Sequence, residues 1–120
     1  MEKVDHPFLM KLSYAFQDEE KVFFIMTFAK GGDLYFHLAK LNRLNEDHAR
    51  FYAGQLLLAF EYLSLNNIVY RDLKLENVLI EEDGFIKLSD YGVAKILNNG
   101  QTNSFNGTMS YMAPEIIKRS

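Results

Sequence analysis

Tyr70-Arg71-Asp72-Leu73-Lys74-Leu75-Glu76-Asn77, with Asp90-Tyr91-Gly92 eighteen residues after Asp72, decides how this 120-residue chain is read. Moving a phosphoryl group from ATP calls for a carboxylate near the incoming hydroxyl, a cation near the γ-phosphate and hard oxygen ligands for Mg²⁺. Asp72, Lys74, Asn77 and Asp90 bring those four groups together in one short span. Ala113-Pro114-Glu115 follows downstream.

Pairing geometry supports a shared purpose for Asn77 and Asp90. Val78-Leu79-Ile80 and Phe85-Ile86-Lys87-Leu88 have the composition of two short strands, and the Asp83-Gly84 pair between them is a strong hairpin signal. A two-residue turn at Asp83-Gly84 sets Asn77 opposite Asp90. Opposed residues lie roughly 4.5 to 5.5 Å apart at Cβ, so an amide oxygen and a carboxylate could serve the same metal ions. A slip of one or two residues would still deliver both from the same end of the hairpin.

Working outward, Met10 to Phe16 and Lys21 to Phe28 read as β-strands around the polar turn Gln17 to Glu20, and Val22 to Met26 is too apolar for an exposed edge. With their sheet neighbours missing from this stretch, these strands would leave an open apolar edge that favours association. Gly31-Gly32 breaks the second strand. A short helix is expected from Asp33 to Lys40 and a longer one from Glu46 to about Leu65, capped by Asn45, with Glu46 and Asp47 at the positive end of its dipole. Ala49, Tyr52, Ala53, Leu56, Phe60 and Leu63 recur every three or four positions and predict one buried stripe.

Composition narrows the function classes. The chain is 48% hydrophobic with net charge −3, which allows a core and does not suggest nonspecific nucleic-acid binding. It has no cysteine, hence no disulfide or thiolate-metal framework, which fits an intracellular site in cytoplasm or nucleus. No run is long enough to span a membrane, and Met1-Glu2-Lys3-Val4-Asp5 does not resemble a signal peptide. His6, His37 and His48 lack metal-ligand spacing and are expected to be structural or solvent-facing.

Arg71-Asp72-Leu73 with Asn77, Asp90-Tyr91-Gly92 and Ala113-Pro114-Glu115 match the H-R-D-L-x-x-x-N, D-F-G and A-P-E signature of protein kinases. The chain resembles a eukaryotic serine/threonine protein kinase domain of the AGC group, which includes cAMP-dependent kinase. Asp72 to Asn77 has the serine/threonine form of the loop. Tyr70 in place of the commoner His suits the same group. His6-Pro7-Phe8-Leu9 is similar to the segment after the αC helix, Phe24 to Phe28 to the inner strand and hinge, and His48 to Ala53 to the long C-lobe helix.

The resemblance implies an α+β fold, a partial protein-kinase-like two-lobe arrangement: residues 1–28 the end of the N-lobe sheet, 29–32 the hinge, and 33–120 the first part of the helical C-lobe. It implies ATP and Mg²⁺ as cofactors. Asp72 would orient or accept the hydroxyl proton, Lys74 would neutralise the moving phosphoryl group, and Asn77 with Asp90 would hold the metal. Thr108 would bond Asp72 and Lys74. Met26 would be the gatekeeper, the Thr27 carbonyl and Ala29 amide would bond adenine, Leu79 would lie beneath it and Asp33 would reach the ribose. Glu76 and Asp90 complete the implied ATP-binding set. Asp33 and Glu76 also fall where basophilic members receive arginines of protein substrates, although the alternative is that Asp33 merely caps the helix after it and Glu76 merely faces solvent. Ser104 falls at the activating phosphosite, with Arg71 and Lys95 as its basic partners and an upstream activating kinase implied.

Tyr91 departs from the usual Phe, and Met109-Ser110 from the usual Pro-Glu. No Gly-rich loop, V-A-I-K lysine or αC glutamate occurs in these 120 residues, so the resemblance is to a kinase domain truncated at both ends. Two functions are therefore expected to compete. One is phosphoryl transfer to serine or threonine as part of a kinase domain. The other is a non-catalytic, kinase-like interaction protein.

Overall fold

A computed structural model describes residues 4–90, 94–97 and 106–118. Strands β1 (Leu12–Gln17) and β2 (Val22–Met26) form an antiparallel hairpin, followed by helices α1 (Leu34–Leu41) and α2 (Glu46–Leu65). Strand β3 (Ile68–Val69) pairs with β6 (Lys95–Ile96), and β4 (Val78–Ile80) pairs with β5 (Ile86–Leu88). Helix α3 (Pro114–Lys118) follows the Ala113-Pro114 junction, where proline is suited to a first helical position.

Local chemistry accounts for the helix starts. Asp33 Oδ1 accepts from the Phe36 amide at 2.9 Å and Asn45 Oδ1 from the His48 amide at 2.8 Å, so each side chain satisfies an otherwise unpaired first-turn donor. Helix α2 has the expected bounds. Its buried face differs in part from the expected stripe: Leu63 is buried and Tyr52, Leu56 and Phe60 are half-buried, but Ala49 and Ala53 are exposed, while Gln55 and Ala59 go inside. The face that meets β3 and β5 therefore runs through residues 52, 55, 56, 59 and 63, leaving Ala53 turned to the outer side.

The core gathers Leu9, Leu34, Ala59, Leu63, Tyr70, Val78, Ile80, Ile86 and Leu88. It joins α1 and α2 to the β4–β5 hairpin. The β1–β2 hairpin stands apart from it. Asp18 closes its turn by accepting the Glu20 and Lys21 amides. Every residue of β2 is exposed, Phe24 at 61%, which corrects the expectation that Val22 to Met26 is too apolar for an open edge. Among the described residues β2 pairs only with β1, and the stacked rings of Phe16 and Phe23 cover little of either strand.

The β4–β5 turn also differs from expectation. Val78 pairs with Leu88, Leu79 with Lys87 and Ile80 with Ile86, so Asn77 falls opposite Ser89 rather than Asp90. The cause is a three-residue turn, Glu82-Asp83-Gly84, in which the Gly84 amide donates to the Glu81 carbonyl and Gly84 adopts a φ of 87°. Glycine accepts that conformation without steric cost. The one-residue slip leaves Asn77 and Asp90 at the same end of the hairpin.

Gly31 and Gly32 do more than break a strand. The Gly31 amide donates to the Ile80 carbonyl at 2.8 Å and the Ile80 amide donates to the Gly32 carbonyl at 2.7 Å, which clamps this connection on the outer edge of β4. His37 Nε2 donates to the Gly31 carbonyl at 2.6 Å. A Cβ on Gly31 would stand 2.5 Å from the Ile80 carbonyl oxygen, closer than real contacts allow. Gly31→Ala should therefore destabilise the fold by about 1 to 3 kcal/mol through overpacking, read as a lowered denaturant midpoint with an unchanged slope.

Candidate active site

Two backbone clamps hold the segment Tyr70 to Asn77 against the end of β5. Tyr70 is buried and its hydroxyl donates to the Ser89 carbonyl, while the Ser89 amide donates to the Asn77 carbonyl at 2.8 Å. Ser89 is thereby held from both sides, and Asp90 follows it directly. Arg71 and Asp90 both have positive φ, 69° and 58°, a conformation that costs a non-glycine residue about 1 to 3 kcal/mol and persists where surrounding contacts fix it. Strain thus brackets the segment carrying Asp72, Lys74 and Asn77.

The third side comes from far along the chain. Gly107, at φ 123°, lies so close to the Arg71 carbonyl that a Cβ would collide with its oxygen. This approach brings Thr108 to Asp72. The Thr108 hydroxyl donates to Asp72 Oδ1 at 2.6 Å, and Lys74 Nζ lies 3.3 Å from Asp72 Oδ2 and 3.4 Å from the Thr108 oxygen. Both carboxylate oxygens are therefore engaged. The Thr108 hydroxyl most of all, then Lys74, hold the Asp72 carboxyl below its ordinary range, against an opposing push from burial.

Asn77 is buried, and its Nδ2 donates to the Asp72 carbonyl at 2.9 Å. That bond fixes the amide so that its oxygen remains available as an acceptor. An amide oxygen and the Asp90 carboxylate are hard donors of the kind that hold Mg²⁺ when substrate phosphates and water complete the shell. The donor set fits that ion. Among the described residues no cluster of three or more His, Cys, Asp or Glu side chains suits a metal by itself.

A cavity of about 380 Å³ opens between the β1–β2 hairpin and β4. Met26, Thr27, Ala29, Asp33 and Leu79, all predicted from sequence, line it together, with Met10. Met10 had no sequence signal: it reaches the wall because its amide donates to the Leu88 carbonyl, across the chain. Glu76 does not line this cavity. It lies exposed in the 3₁₀ turn Leu75–Asn77, which packs against α1. Asp90 is likewise outside the lining. A second cavity of about 320 Å³ runs from Arg71, Asp72 and Leu73 to Asn106, Thr108 and Tyr111. A roomier one, about 500 Å³, lies between α1 and α2 but includes none of the predicted residues. Tyr91, Gly92 and Ser104 lie outside the described residues. Arg71 and Lys95 are described, and Lys95 is the cross-strand partner of Val69, two residues before Arg71.

A family description, protein kinase domain, matches residues 1–120. This chain belongs to the protein kinase domain family. Among its relatives, a probable serine/threonine-protein kinase of Dictyostelium discoideum is 47% identical over all of this chain and 27% of its own length. The RAC-beta serine/threonine-protein kinase of Rattus norvegicus is 43% identical over 98% of the chain and 25% of its length, and the atypical protein kinase C of Drosophila melanogaster is 47% identical over 95% and 19%. The chain thus spans about a fifth to a quarter of the length of these relatives. Their names support the AGC resemblance and the serine/threonine kinase class. No helix among the described residues is long and apolar enough to cross a membrane.

Because Thr108 is the main cause of the low Asp72 pKa, Thr108→Val should move the Asp72 carboxyl up towards the ordinary carboxylate range, as followed by carboxyl-carbon NMR. A depressed folded-state pKa contributes stability above the unfolded-state value and loses it as pH falls through the folded value. The variant should therefore melt lower than wild type at neutral pH, with the gap closing as pH drops below about 4. A gap that stays constant with pH would contradict the assignment.

Proposed function

We propose that this chain carries central catalytic machinery for ATP- and Mg²⁺-dependent transfer of the γ-phosphoryl group to serine or threonine hydroxyls of protein substrates. The observation that supports it most is the meeting of Thr108 with Asp72 and Lys74, which lie 36 and 34 residues before it, beside Asn77. On this reading residues 1–28 end an N-lobe, 29–32 form the hinge and 33–120 begin a C-lobe.

The incoming hydroxyl oxygen bonds the γ-phosphorus as the bond from that phosphorus to the β-bridging oxygen breaks, and ADP leaves. Asp72 orients the hydroxyl and takes its proton late. Its low pKa makes it a weak base, and a loose transition state demands little proton transfer early. Lys74 offers positive charge to the transferring group, and Thr108 holds Asp72 and Lys74 in one geometry. Asn77 and Asp90 would hold Mg²⁺, which supplies neutralisation of phosphate charge. The cavity lined by Met26, Thr27, Ala29 and Leu79 receives adenine, with Asp33 near the ribose.

In the full-length protein, Asp72→Ala should lower kcat by about 10² to 10⁴-fold with nucleotide affinity nearly unchanged. Asp90→Ala should lose Mg²⁺-dependent nucleotide binding as well. Equal affinity losses in the two variants would overturn these roles.

Substrate charge follows from Asp33 and Glu76. Asp33 caps α1 through one oxygen, yet a carboxylate has further acceptor positions, so capping and a bond to a substrate arginine are compatible. Glu76 is exposed on the turn packed against α1. Arginine's planar fork matches such carboxylates better than lysine. Peptides with arginines upstream of the target hydroxyl should be preferred, and replacing those arginines by alanine should lower kcat/KM by about tenfold or more if one charged hydrogen bond is lost. An unchanged kcat/KM across a peptide array would remove Asp33 and Glu76 from substrate recognition.

A further inference from the structure

Two polar side chains are buried among the described core residues, Gln55 and Asn77, each 5% exposed. Asn77 belongs to the site already described. Gln55 lies on α2, and the phosphoryl-transfer reading gives it no task. Its amide is engaged at both ends: Nε2 donates to the Phe51 carbonyl at 3.2 Å, and Oε1 accepts from the Ile86 amide at 2.8 Å.

The second bond is set by the hairpin register. In an antiparallel ladder the residues of a non-hydrogen-bonded pair turn their amides and carbonyls outward. Ile80 and Ile86 form such a pair. The Ile80 amide finds Gly32 on the outer edge of β4, and the Ile86 amide finds Gln55 on the outer edge of β5. Two residues on, the Leu88 amide and carbonyl are taken by Phe8 and Met10. The outer edge of β5 is thus gripped at Ile86 from α2 and at Leu88 from the segment before β1. A Leu or Met at position 55 would leave the Ile86 donor buried without a partner.

We propose that Gln55 is a positioning residue for the metal–nucleotide site: its amide fixes how far β5 advances along α2, and so where Ser89 and Asp90 arrive beside Asn77. This inference rests on the phosphoryl-transfer reading for its consequence. The mechanical path is short. β5 ends at Leu88, and the Ser89 amide and hydroxyl both bond the Asn77 carbonyl, at 2.8 and 3.2 Å. A shift of the strand at Ile86 must be absorbed by those bonds or passed to Asp90.

The test uses the full-length protein with Mn²⁺ and a non-hydrolysable adenine nucleotide, whose binding is followed by electron paramagnetic resonance, and amide hydrogen exchange at Ile86. Gln55→Met should speed exchange at Ile86 and weaken Mn²⁺–nucleotide binding by about tenfold, as the loss of a supporting hydrogen bond around a metal site does. Gln55→Glu keeps an acceptor oxygen and should regain most of that affinity. Faster Ile86 exchange with unchanged metal affinity in Gln55→Met would overturn the proposal and leave the residue a structural role alone. Should Gln55→Met not fold, wild type decides by reciprocity, since coupled events favour each other equally. Saturating Mn²⁺ and nucleotide should then slow exchange at Ile86, and no slowing overturns the proposal. Phosphate transfer to peptide is scored separately: wild-type protein that binds metal and nucleotide without transferring phosphate counts against the enzymatic reading alone.

Discussion

The bond from the Ser89 amide to the Asn77 carbonyl is the constraint on which the site depends. It extends the β4–β5 ladder by one pair beyond the strands and delivers an amide oxygen and a carboxylate from the same end of one hairpin. Everything around it keeps that pair in place. Tyr70 holds the Ser89 carbonyl from the start of the Asp72 segment, Gly31 and Gly32 close the outer edge of β4, and Gln55, Phe8 and Met10 close the outer edge of β5. A two-stranded hairpin in water is marginal by itself. Here both edges are paired and the buried faces of Val78, Ile80, Ile86 and Leu88 enter the core, which supplies the support a lone hairpin lacks.

What the sequence disclosed follows from how local each signal is. The bounds of α2 and its Asn45 cap were legible because the capping oxygen and the amide it serves lie three residues apart. The β4–β5 register was misjudged by one residue because Asp-Gly suits either a two-residue turn or a three-residue turn ending in a left-handed glycine, and nothing nearby chooses between them. The exposure of β2 was legible only in part: missing sheet neighbours pointed to an open apolar edge, while the apolar run itself pointed to burial. An apolar run states that residues favour burial, and does not supply the layer that would bury them. The contact of Thr108 with Asp72 spans 36 residues and came only through the family resemblance. Gln55 was invisible: a polar residue inside an apolar stripe reads as its interruption, although it supplies the partner of an Ile86 amide that the β4–β5 ladder does not use.

The electrostatics of Asp72 connect this architecture to its chemistry. A carboxylate that accepts a hydroxyl donor on one oxygen and faces an ammonium on the other is held in its ionised form. Such a group has lost basicity, which would be a defect in an enzyme that must remove a proton early. The phosphoryl transfer proposed for this site would make no such demand, because charge spreads over the transferring group before the attacking hydroxyl becomes strongly acidic. The arrangement therefore favours orientation over basicity. Fixing both oxygens of Asp72 confines the direction from which a third hydrogen bond, on the proposed reading that of a substrate hydroxyl, can be accepted. The positive φ at Arg71 serves the same end, since it turns the backbone so that Asp72 faces Thr108 while Tyr70 stays in the core. Strain at the entry to the segment carrying Asp72 and lowered basicity at its carboxylate then have one physical origin, the convergence of two distant loops held together where Gly107 leaves no room for a side chain.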